Sequence, residues 1–328
     1  MKLNVRLISR LGIVLLFALC HNLEAQPQGK IPRIGYLTFL SNADPLELVF
    51  LQALRDLGYE DGRNVHIEYR RAAGNVDRLA KLADDLVHAN VNLIVVRSTP
   101  VAQVAKNATT TIPIVMVGVA DPVRTGFVTS LAHPGGNITG MSNMMPELAG
   151  KRLELLTEVH PKLTQVAFLA YSPDPLHKTF LNDAQAAAER FKILIKPVVI
   201  NTVEQIEAEF SSMAKAEPGA LIVQPLFISN LGQGQKIAQL ALKHRLATIS
   251  DGIPFADQGG LLFYGPDQKP MFQRAAIYVD KILKGIKPGD LPIEQPTKFE
   301  LVINLKTAKQ IGVMIPAIVL AKADRVIR

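Results

Sequence analysis

From Lys30 onward, short β-branched apolar runs alternate with segments whose apolar residues recur at helical spacing, and this alternation limits the available folds more than any other feature. Parallel strands joined by crossover helices produce such a pattern. In the first half, strands are predicted at RIGYLT from Arg33, NVHIEYR from Asn64, NLIVVRS from Asn92, PIVMVGV from Pro113 and NITGMSN from Asn137. Between them, Leu46, Phe50, Ala53 and Leu57 share one helical face, and Leu79, Leu82, Ala83 and Leu86 share another. A helix from Pro146 then introduces a second set of strands, from Gln165, Ile193, Ala220, Ala247 and Leu261. The segments starting at Gly35 and Ala167 repeat one order: strand, polar loop, Asp-Pro, helix. A helix from Met271, a Pro/Gly-rich connection from Ile286, a strand from Phe299 and two short helices complete the chain. Since one core rarely grows past about 250–300 residues, a chain of 328 residues built this way predicts two α/β lobes.

Composition removes several functions. With 48% hydrophobic and 20% charged residues the chain can fill globular cores and is no disordered tail. Aromatics are only 6% and Trp is absent, which argues against stacking platforms for sugars or single-stranded nucleic acid. The net charge is +7, but Lys2, Arg6 and Arg10 against Glu24 leave +5 beyond residue 25, spread along the chain with no more than two basic residues in a row. No basic run marks a nucleic-acid or membrane patch, so neither partner is expected.

Those three cations precede the apolar run LGIVLLFAL, and Leu23-Glu24-Ala25 supplies a small residue before Gln26. This is the layout of a cleaved signal peptide over residues 1–25, too short to span a bilayer of ~20 apolar residues. The bulky Leu19 before Cys20 disfavours a lipid anchor there. Cleavage after Ala25 leaves a periplasmic chain without cysteine, which excludes disulfides, thiol nucleophiles and Cys-ligated zinc.

Ligands of open α/β sheets bind beyond the carboxyl ends of the strands. Four such exits carry a capping residue followed by Pro: Asp44-Pro45, Thr99-Pro100, Asp121-Pro122 and Asp174-Pro175. A cap followed by Pro predicts a helix start, and helix amino termini converging on a crevice suit a carboxylate. Ser98 and Thr99 add hydroxyls at one of them, and Asp121 either caps its own helix or accepts from a ligand amine. Other chemistry lacks its motif. The stretch GPDQKPM from Gly265 is no phosphate loop, no Gly-x-Gly-x-x-Gly or Gly-x-Ser-x-Gly is present, and no two histidines lie within four residues of each other. No catalytic residue, metal or cofactor is therefore expected.

The succession KIPRIGYL, LRDLGYEDGRNVHIEYR, AGNVDRLAKLADDLV, TIPIVMVGVADPV, LAHPGGNITGMS, AGKRLELLTEV, GGLLFYGP, RAAIYVDKILKG and LPIEQPTKFELVINLKTAKQIG resembles the solute-binding proteins of ABC transporters of the TrpX-like group over essentially all of residues 30–328. The resemblance implies a type I periplasmic-binding-protein fold: two Rossmann-like lobes, three interlobe crossings, and a ligand held between the lobes. The crossings are expected near Met141 to Met145, Asp251 to Pro254 and Gln295 to Thr297. Lobe 1 would then hold 31–144 plus 253–295, and lobe 2 145–252 plus 296–328. The resemblance also implies a binding protein rather than an enzyme, a monomer that delivers a small carboxylate-bearing solute, such as an amino acid, to an ABC permease. A free-standing periplasmic sensor is the alternative. Carried over position by position, the ligand-binding residues are Thr38, Phe39, Ser98, Thr99, Ala120 and Asp121 in the first lobe and Tyr171, Gln224 and Asp251 in the second. The chain departs from the group's pattern where RSTPVA replaces a small residue followed by Gly-Thr-Pro-Ala, and where YSPDP replaces Asn-Pro-x-Asn, so that Arg97 and Tyr171 are unusual there.

Overall fold

A computed structural model describes residues 31–143, 148–214, 218–252 and 255–328. Two mixed α/β lobes account for all of them. In the first, β1 (Arg33–Thr38), β2 (His66–Arg71), β3 (Leu93–Arg97), β4 (Ile114–Val119) and β5 (Ile138–Ser142) form a parallel sheet in the order β2-β1-β3-β4-β5. Its central strand β3 is buried along its whole length, as a strand covered on both faces must be. Helices α1 (Pro45–Asp56), α2 (Arg78–His88) and α3 (Thr99–Ala108) cross between the strands.

The second lobe opens with α4 (Ala149–Val159) and β6 (Gln165–Tyr171), followed by α5 (His177–Glu189), β7 (Leu194–Ile200), α6 (Ile206–Ala214), β8 (Ala220–Val223), the four-residue α7 (Leu226–Ser229), α8 (Gly234–Lys243) and β9 (Ala247–Ser250). Then come β10 (Leu262–Pro266), α9 (Gln268–Leu283), β11 (Phe299–Asn304), α10 (Leu305–Ile311), α11 (Ala317–Leu320) and β12 (Arg325–Ile327). The second sheet runs β12-β11-β10-β9-β8-β6-β7, parallel except where β11 returns antiparallel to β10. The short edge strand β12 was not expected from the sequence; it pairs parallel with β11 where a helical tail was predicted.

One expected lobe boundary needs correction. The segment from residue 253 was assigned to lobe 1, yet β10 pairs with β9 and β11 inside the second sheet. The chain leaves that sheet only at Asp267, and α9 then packs into the first lobe, where Phe272, Tyr278 and Val279 join Tyr36, Phe50 and Leu54 in one core. Ile253 and Pro254 fall outside the described residues, as do the signal-peptide region and the chain just after Asn143.

The strands of crossing lie side by side. The Ser142 amide donates to the Glu294 carbonyl (2.9 Å), the Glu294 amide to Gly140 (3.0 Å), and the Asp267 amide to Lys298 (3.0 Å). Gly140 sits at φ 134° with the Met116 carbonyl oxygen 2.0 Å from where a Cβ would be, so no other residue fits that position. Across the opening between the lobes, Arg124 from the loop after β4 holds Asp183 of α5 through Nη1 at 2.9 and 3.2 Å. A continuous cluster of buried side chains also joins Phe39 and Ala72 of the first lobe with Tyr171, Ile200 and Phe227 of the second.

Candidate functional site

The cleft lies where strand exits of both lobes face each other, with about 490 Å³ of empty space, its open mouth included. Its first-lobe wall is built at the end of β3. Arg97 closes the strand, Ser98 turns the chain at φ 78° and ψ 157°, and α3 begins at Thr99 with Pro100 behind it. That backbone conformation is close to exclusive to glycine and costs about 1–3 kcal/mol in any other residue. Strain of this kind is retained where surrounding structure demands it, and here it aims the Ser98 hydroxyl into a buried position where Oγ has no hydrogen-bond partner among the described residues. Thr99 Oγ1 accepts from the Ala120 amide at 3.1 Å, which locks the exit of β4 against the start of α3. The Ala120 carbonyl in turn takes the Ser142 hydroxyl at 3.3 Å, and Asn143 Nδ2 donates to Gly118 at 2.8 Å.

The second-lobe wall consists of Asp174, Phe180 and the stretch Pro225 to Asn230. Asp174 is buried, with Oδ1 accepting from the Leu176 amide (2.9 Å) and Oδ2 from Gln224 Nε2 (2.7 Å). Burial pushes its carboxyl up to about 6, against which those hydrogen bonds and His177 act only in part. Gln224 is held in turn, its Oε1 accepting from the Tyr171 amide at 2.7 Å. Asn230, also buried, has no partner for Nδ2 among the described residues.

Of the residues expected to touch ligand, Ser98, Thr99 and Ala120 line the cleft. The others do not. Thr38 is buried and its Oγ1 accepts from Leu40, while Phe39 is packed in the core. Asp121 accepts from the Arg124 amide (2.9 Å) and pairs with Arg124 Nε at 3.2 Å, so of its two expected roles the structure gives it the local cap. Tyr171 packs edge-on to Phe227 at 5.6 Å, and Gln224 stands behind Asp174 as its support. Asp251 lies fully buried in an ion pair with Arg152 at 2.5 Å, its carboxyl also pushed up to about 6 by burial.

The cap-Pro expectation is met in full only at Asp44, whose Oδ1 accepts from Glu47 at the start of α1. At Thr99 the helix starts on the threonine itself, with Ser98 as cap; after Asp121 come turns; and Asp174 precedes its helix by three residues. Arg97, Asp174 and Asn230 were not expected to touch ligand. Asp174-Pro175 and the unusual Arg97 carried a signal in the sequence, whereas nothing local marks Asn230.

Two sheets of opposed strand exits, three adjacent crossings and a polar cleft between the lobes define a two-lobed solute-binding protein of the periplasmic type. The model of the ABC transporter substrate binding protein family matches residues 45–327, and the chain belongs to that family. It is thus the component that captures cargo for an ABC permease. A tyrosine-binding protein of Clostridioides difficile is 28% identical over 277 residues, which cover 84% of this chain and 79% of that one. Among solved structures, the domain in complex with L-Trp from Streptococcus pneumonia superposes with a TM-score of 0.83 at 27% identity, covering 90% of this chain and 99% of that one. A conserved domain protein of Vibrio cholerae gives 0.83 at 25% identity, covering 90% of this chain and all of that one.

Proposed function

We propose that the cleft holds a free amino acid, with its carboxylate at the start of α3 and its ammonium group at Asp174, and that the protein works by binding and delivery without turnover. The observation that carries this reading is the pairing of an unsatisfied donor wall with a buried acid. Among the described residues Ser98 Oγ has no partner, and it lies beside the amides of α3's first turn, a setting that favours an anion, while Asp174 faces them from the other lobe. The named ligands of two relatives, tyrosine and L-Trp, have the same two charged groups. Binding between lobes draws them together about the crossings as a hinge, and the Arg124–Asp183 contact belongs with the closed arrangement. We further infer an exported, monomeric mature chain that begins near Gln26 in the periplasm.

The test is a thermal-shift and calorimetric screen of the mature chain against amino acids, their methyl esters and their deaminated carboxylates, since a ligand bound only by the folded state raises its melting temperature. Binding that needs both the free carboxylate and the amine is expected. A methyl ester bound as tightly as its parent would remove the carboxylate from α3, and a deaminated acid bound equally would remove the ammonium from Asp174.

A further inference from the structure

One cation lines the cleft among the described residues, just before the Ser98 turn, and the ligand placement proposed above gives it no role. Arg97 is buried, 6% exposed, with its guanidinium stacked 5.3 Å from the centre of the Phe272 ring. Among the described residues it makes a single hydrogen bond, from Nη1 to Asp44. Asp44 is itself fixed as the cap of α1, so the pair is rigid and electrically neutral. Nε and Nη2 have no acceptor among the described residues. In an open cleft, water serves them; when the lobes close on a ligand, that water leaves, and a guanidinium N–H stripped of an acceptor is penalised heavily.

We infer that Arg97 selects the far end of the ligand, so that the cargo is an amino acid whose side chain ends in an uncharged oxygen acceptor: a hydroxyl, a phenol or a carboxamide. The inference rests on the amino-acid reading above and adds the side-chain class. Charge decides against an acidic side chain. Asp44 already cancels Arg97 and the ligand ammonium cancels Asp174, while the ligand's own carboxylate has only the partial positive charge of a helix start. A second carboxylate would bring a further, uncompensated negative charge into a closed, low-dielectric space. An apolar tip supplies no acceptor, and an indole N–H would set a donor against donors. An oxygen tip satisfies the freed N–H without adding charge.

Titration calorimetry on the wild-type chain with matched pairs, tyrosine against phenylalanine, threonine against valine and glutamine against norleucine, together with glutamate, tests this. In whichever pair fits the cleft, the oxygen-tipped member is expected to bind about tenfold or more tightly than its apolar counterpart, and glutamate more weakly than glutamine. In Arg97→Met the preference is expected to shrink to about twofold, the apolar member gaining affinity because no guanidinium N–H is left stranded against it. Equal affinities within the wild-type pair, tighter binding of glutamate, or a preference that survives in folded Arg97→Met would each overturn the assignment. The wild-type comparison stands without the variant if Arg97→Met does not fold. If no amino acid binds but deaminated carboxylates do, the amino-acid reading itself fails and the side-chain class with it.

Discussion

Ser98 combines two properties that pull in opposite directions, a backbone conformation suited to glycine and a buried hydroxyl without a partner among the described residues. Ser98→Gly is expected to relieve the strain and raise stability by about 1–2 kcal/mol, while the loss of a hydrogen bond to a charged ligand group weakens binding about tenfold to a hundredfold. Chemical denaturation and calorimetry on the same variant separate the two, and unchanged affinity would place the ligand carboxylate elsewhere. Thr99→Val should behave differently, because it strands the Ala120 amide and so lowers stability by about 1–3 kcal/mol along with affinity. Asp174 adds a pH dependence. Burial pushes its carboxyl up to about 6, and an ammonium ligand prefers the ionised form. Affinity should therefore be constant above pH 7 and fall about tenfold per pH unit below 6, a slope that Asp174→Asn abolishes. The helix start at the β3 exit was legible in the sequence, since Ser, Thr and Pro at a strand end state it locally. Asn230 was not, because only tertiary packing brings a four-residue helix to the cleft.

At the scale of elements, eleven of the twelve strands among the described residues announce themselves through β-branched apolar runs, and the twelfth does not. The three residues of β12 are too few to show a period and are held by β11 alone. The misplaced crossing has a related cause. Nothing in LLFYGP says which sheet will accept it, since a buried strand reads the same in either lobe, and only the pairing with β9 and β11 decides. The Asp-Pro pairs likewise report a backbone turn but not whether a helix or a loop follows. Gly140 offers a sharp test of the crossing region. Gly140→Ala would drive a methyl group into the Met116 carbonyl at the strand that bonds Glu294, and a loss of about 3 kcal/mol or more is expected. A denaturation midpoint matching wild type would contradict the geometry.

The molecule as a whole carries buried acids of one kind and paired acids of another. Asp174 and Asp251 titrate at about 6 in the fold against 3.8 for the free side chain, so their protonated forms favour the native state. That contribution is full below 3.8 and is lost as pH rises through about 6. Glu68, held low by Arg33, and Glu154, held low by Lys151, contribute in the opposite sense and lose their effect as pH falls through the carboxylate range. Ligand-free protein should accordingly be most stable between about pH 4.5 and 6 rather than at neutrality, with a gain of order 1–3 kcal/mol over pH 7.5. Urea melts across that range check it, and in Asp174→Asn the gain should shrink.

The return of α9 to the first lobe bears on the order in which the chain is made. Tyr36, Phe50 and Leu54 leave the ribosome early, but their core partners Phe272, Tyr278 and Val279 come more than two hundred residues later. At ordinary elongation rates the gap is on the order of ten seconds or more. Throughout it the amino-terminal sheet lacks part of its cover and cannot complete its core. Under the export proposed above, that delay is useful, because translocation needs an unfolded substrate, and the interleaved lobes keep the first half from completing its core before the last quarter has been synthesised.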